Sequence, residues 1–93
     1  MEDAVAVLEQ IVEREPLDGE AIILLARFYS QTETADTMAE EEMIQKSIMM
    51  YERAAKIRGY EERALLAHAQ MLVGAGDYGA AVPLLERVMD INP

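Results

Sequence analysis

The residues able to do chemistry are few in this chain. His68 is the only histidine, and there is no cysteine. The lack of thiols removes disulfides, Cys-based zinc, iron–sulfur clusters and thiol catalysis. A lone imidazole works as a base or a metal ligand only with a partner group nearby, and no second histidine, cysteine or obvious paired carboxylate accompanies His68 on its helix. Its expected role is a helix–helix contact with one ring nitrogen satisfied. Glu40, Glu41 and Glu42 offer three carboxylates in a row. Consecutive helical residues fan around about 200° and do not converge on one ion. A solvated first turn, favoured by the helix dipole, is the expectation for them. Met38, Met43, Met49 and Met50 are taken as filler of an irregular core in preference to an adaptable binding surface. No glycine-rich phosphate loop, nucleophile elbow or HExxH-type zinc motif occurs. The sequence therefore predicts no enzyme activity, no metal and no cofactor.

The elements that must position these residues are helices. With 93 residues the chain makes one domain at most, and at 52% apolar residues it is not of disordered composition. Acidic side chains number 18 against 8 basic, a net charge of -10, which opposes nucleic-acid phosphates and anionic membrane surfaces. The longest apolar stretch, Ala21 to Ala26, is far too short to span a bilayer. Met1-Glu2-Asp3 starts no signal peptide, so a cytoplasmic location is the expectation.

Five helices follow from the apolar periodicity, and no strand pattern occurs. Ala4, Leu8, Ile11 and Val12 mark the first, which Pro16 stops. The second begins near Asp18 or Gly19 and carries Ile22, Leu25, Ala26 and Tyr29. It dissolves into a polar loop, Thr32 to Asp36. Thr37 and Glu40 have capping-box spacing and open a third helix, predicted over Met38 to Arg58, with Gly59 as its C-terminal cap. The fourth carries Leu65, His68, Ala69 and Leu72 and ends at Gly74. Asp77 caps the fifth, in which Pro83 should cause a bend.

These helices repeat. Ala4-Leu8-Ile11-Pro16 recurs in spacing as Ser47-Tyr51-Ala54-Gly59 and as Ala81-Leu85-Val88-Pro93. The last two copies lie 34 residues apart, and the first two 43, a nine-residue insertion. Ile22-Leu25-Ala26-Tyr29 likewise returns as Leu65-His68-Ala69-Leu72. A period of 34 with small residues at Ala26 and Ala69, and at Ala4 and Ala81, resembles the tetratricopeptide repeat family. His68, Ser47 and Gly59 depart from the residues usual in that family. The resemblance implies an all-α fold of antiparallel helix hairpins stacked as a short right-handed superhelix. It divides residues 1–93 into a half repeat (1–16), a repeat with an insertion (17–59) and a repeat (60–93), as a fragment of a longer chain.

The function it implies is protein–protein interaction on the concave face lined by the first helix of each repeat. On that alignment Glu20, Ile23, Arg27 and Ser30 face the groove from one helix, and Arg63, Leu66, Gln70 and Val73 from the next. Two arginines beside apolar side chains suit a peptide or partner helix with an acidic group and one or two apolar anchors. The alternatives are a structural or assembly segment of a longer solenoid scaffold and a regulatory domain of a larger enzyme. On a helical wheel Ala81, Leu85 and Val88 should face the fourth helix. That leaves Val82 with Met89, or Leu84 with Ile91, uncovered, from which a homodimer or end-to-end self-association is expected.

Overall fold

The computed structural model describes residues 2–31 and 37–91, with side chains over 4–31 and 39–91. Within them the chain is all-helical: α1 (Glu2–Arg14), α2 (Gly19–Ser30), α3 (Thr37–Ala55), α4 (Glu61–Gly74) and α5 (Tyr78–Ile91). Successive helices pack on one another in order, and α2 also touches α4. Short connections force this arrangement. Three residues between α4 and α5 leave the chain no path except back along the helix it has just left. The Cα atoms fill 38 × 31 × 15 Å, and 15 Å is the depth of two helix layers at ordinary interaxial spacing. No helix among the described residues is long and apolar enough to cross a membrane.

The helix ends follow the sequence signals. Asp18 caps α2, its Oδ1 accepting the Ala21 N–H at 3.1 Å. Asp77 does the same for α5, accepting from Ala80 N–H at 3.2 Å. Gly76, at φ 82°, supplies the left-handed turn between α4 and α5. α5 then continues as one helix through Pro83. The predicted loop 32–36 lies outside the described residues, as does the Thr37 side chain that the capping box would use.

α3 ends earlier than its apolar pattern suggests, at Ala55 and not Arg58. Its last turn tightens: Lys56 N–H bonds the Arg53 carbonyl at 3.2 Å and Ile57 N–H the Ala54 carbonyl at 3.0 Å. The tighter winding tucks Ile57 and Tyr60 against the core, so Gly59, expected as the cap of α3, lies four residues past its end and instead turns the chain into α4 at φ 90°. Arg53 Nη2 donates to the Pro16 carbonyl at 3.1 Å, tying α3 to the end of α1.

The core sits around α2. Ile22, Leu25 and Ala26 are buried from one side by Val12 of α1 and from the other by Tyr51 and Ala54 of α3. Ala26 and Ala69 are both fully buried, so each holds the helix approach that a larger side chain would block. Ser47 is also fully buried, and its hydroxyl donates to the Ile44 carbonyl at 2.6 Å. Met71 sulfur lies 3.3 Å from the same hydroxyl. Of the four methionines expected as core filler, Met43 and Met50 pack against this cluster, as does Met71. Met49 does not. It points to solvent, because it falls on the face of α3 opposite Ser47 and Tyr51. Met38 has its side chain outside the described residues. The Glu40–Glu42 run opens α3 with Glu41 and Glu42 exposed and Glu40 half-buried.

Candidate functional site

α2 and α4 lie side by side, and repeat-equivalent positions on them face a common groove. Glu20, Ile23, Leu24 and Arg27 form one wall, each a turn or less from the next. Arg63, Leu66, Ala67 and Gln70 form the other. They enclose a cavity of about 230 Å³. At Arg27, Ala67 and Gln70 it meets a second cavity of about 650 Å³, which runs past Ser30, Ile48 and Tyr51 to Asp77 in the α4–α5 turn.

Of the eight residues predicted for the groove, six line the first cavity: Glu20, Ile23, Arg27, Arg63, Leu66 and Gln70. Ser30 lines the second, its hydroxyl donating to the Arg27 carbonyl at 2.9 Å. Val73 is exposed but belongs to neither. Ile23 is only 4% exposed and forms the floor, so it offers little surface to a ligand. The accessible apolar surface comes from Leu66 and from Leu24, which the sequence alignment had not put there.

The two arginines differ. Arg63 Nη2 stands 3.7 Å from Glu20 Oε1, and its guanidinium also lies over the Tyr60 ring, 5.4 Å from the centroid. Both partners of that ion pair are more than half exposed, so it adds little to stability. It does leave Arg63 with a carboxylate already beside it. Arg27 forms no ion pair among the described residues. It stands beside Tyr51, where the Arg27 and Ser30 side chains counter part of the upward pKa push that burial exerts on that phenol.

His68 takes no part in the groove. It is buried on the other face of α4, its ring stacked on Tyr51 at 5.4 Å and 14°. Burial lowers its pKa, and the Glu52 carboxylate opposes that shift. Glu9 plays a comparable part at the α1–α2 joint, where its Oε2 accepts the Tyr29 hydroxyl proton at 2.6 Å. Reading motifs alone missed these glutamates. The signal that finds them is the repeat register itself, which sets Glu9, Glu52 and Glu86 at equivalent positions. Among the described residues no group of three His, Cys, Asp or Glu side chains is arranged to hold a metal ion.

Comparison of the chain with protein-family models, with curated proteins and with solved structures finds no match in any of the three.

Proposed function

We propose that the chain is a tetratricopeptide-like repeat segment whose α2–α4 groove binds a protein ligand. The ligand is a peptide or helix bearing a carboxylate flanked by one or two aliphatic side chains. The observation that carries this is Arg27. It stands where the two cavities meet, exposed and without a carboxylate partner among the described residues, in a chain of net charge -10. Leu24 and Leu66 lie beside it and supply apolar contact. A guanidinium takes a carboxylate in two parallel hydrogen bonds, which gives both attraction and orientation. Arg63 serves the site as a wall, since Glu20 already holds its charge. The role is binding, with no bond made or broken.

Peptide display selection on the wild-type protein, followed by fluorescence anisotropy, tests this. Enriched peptides should carry Asp, Glu or a C-terminal carboxylate next to Leu or Ile. They should lose at least tenfold in affinity against Arg27→Glu, in line with a charged hydrogen-bonded pair. Because Arg27 is exposed, the melting temperature of that variant should stay within a few degrees of wild type. Enriched peptides that bind Arg27→Glu as tightly as wild type would overturn the proposal.

A further inference from the structure

α1, α3 and α5 share one sequence register. Val5, Ile48 and Val82 are equivalent, as are Leu8, Tyr51 and Leu85, and Val12, Ala55 and Met89. In α1 these positions are covered by α2, and in α3 by α4. In α5 they are bare: Val82 is 51% exposed, Leu85 36% and Met89 67%. Among the described residues α5 packs on α4 alone, through Ala81, Leu84 and Val88, so Leu84 takes the place the helical wheel gave to Leu85.

A second observation says what would cover them. Each of the three helices carries a glutamate on this face, Glu9, Glu52 and Glu86. At both covered joints that carboxylate faces a polar ring on the covering helix. Glu9 accepts the Tyr29 hydroxyl proton at 2.6 Å, and Glu52 lines one cavity with His68, whose titration it influences. Glu86 is exposed and accepts no hydrogen bond from the described residues. We propose that the Val82–Leu85–Met89 face of α5 docks an amphipathic helix of the α2 kind, laid antiparallel. It would present an aliphatic stripe to the three side chains, a small residue at closest approach, and a phenol or imidazole donor to Glu86. A second copy of α5 fits poorly. It would bring Glu86 and Asp90 of two strongly acidic chains into one interface with no donor between them. The proposal concerns a different surface from the α2–α4 groove and stands whether or not that groove binds peptide.

The probe is a capped synthetic peptide of residues 17–31, which contains the whole of α2. Methyl NMR should show saturable shifts of the Val82 and Met89 signals on adding it. The double variant Val82→Glu/Met89→Glu changes only side chains at least half exposed, so it should fold normally and lose binding by tenfold or more. A Tyr29→Phe peptide should bind wild type roughly fivefold more weakly, the scale of one hydrogen bond to a charged group, and that difference should vanish against Glu86→Gln. No shift at Met89 would overturn the proposal, as would equal binding by the double variant or by the Tyr29→Phe peptide. Met89 signals that move with protein concentration alone would overturn it in favour of self-association.

Discussion

The α2–α3 hairpin and the α4–α5 hairpin follow one pattern and reach different depths of burial. Tyr51 of α3 and Leu85 of α5 are repeat equivalents, 34 residues apart, yet Tyr51 is 2% exposed and Leu85 36%. Ala54 and Val88 are likewise equivalent, and only Ala54 is sealed. α5 contributes no residue to the central cluster. The cause is the number of neighbours. α3 lies between α2 and α4, while among the described residues α5 has α4 alone. In a stacked array a side chain's worth is set by its place in the stack as much as by its identity.

That contrast can be broken by two truncations. Tyr51→Ala removes a ring packed between α2 and α4 and should cost about 3–5 kcal/mol, the range for aromatic residues cut to alanine in cores. Leu85→Ala at the equivalent position should cost under about 1 kcal/mol, since so much of that side chain already meets water. Urea unfolding measures both. Equal losses would mean that α5 is buried in solution by something outside the described residues.

A smaller effect concerns the entry to each hairpin. A Cβ built on Gly19 would lie 2.4–2.8 Å from three ring carbons of Tyr60. The equivalent residue in the second hairpin is Glu62, so only the first hairpin needs a glycine there. Gly19→Ala should destabilise the protein by about 1–3 kcal/mol through overpacking, although alanine is the better helix former. Adding Tyr60→Ala should recover most of that loss in a double-mutant cycle, because the clash has gone. A stabilising Gly19→Ala would mean that the Tyr60 ring swings aside at no cost.

Much of this was legible in the sequence because local physics decided it. The start of α2 near Asp18 or Gly19, the Asp77 cap and the five apolar stripes all depend on neighbours within a helical turn or so. The early stop of α3 was not legible. Its last turn is wound by the packing of Ile57 and Tyr60 against distant residues, and the apolar pattern runs on to Arg58 regardless. The groove was half legible. The register placed Glu20 and Arg63 at equivalent positions, and their opposite charges foretell the pairing that removes Arg63 as a free cation. Ile23 and Leu24 could not be sorted, since both lie near the wall and only the tilt of α2 against α4 decides which is floor and which is rim.

The dependence of stability on pH separates the two glutamate joints. At the α1–α2 joint, burial and the Glu9 carboxylate push the Tyr29 phenol up from its ordinary 10.0 to about 12. A group with a raised folded-state pKa stabilises the fold below its unfolded value. That contribution is whole below pH 10, declines from there, and is lost as pH rises through about 12. A rise from 10.0 to about 12 corresponds to a loss of about 3 kcal/mol at most. At the α3–α4 joint the sign is opposite. Burial lowers the His68 pKa below its ordinary 6.5, and Glu52 only partly offsets it. The neutral ring stacked on Tyr51 stabilises the fold above pH 6.5, and that stabilisation falls away as pH drops through the folded value. Stability against pH should therefore sag at both ends, by separable causes. Tyr29→Phe should reduce the alkaline loss without touching the acid limb, leaving the part that comes from Tyr51, whose phenol burial also pushes up. His68→Gln should flatten the mildly acidic limb alone. Glu52→Gln should deepen the acid loss, because it takes away the charge that favours the imidazolium. A Glu52→Gln protein with an unchanged acid limb would show that this glutamate does not reach the ring, and that the two joints are alike only in sequence.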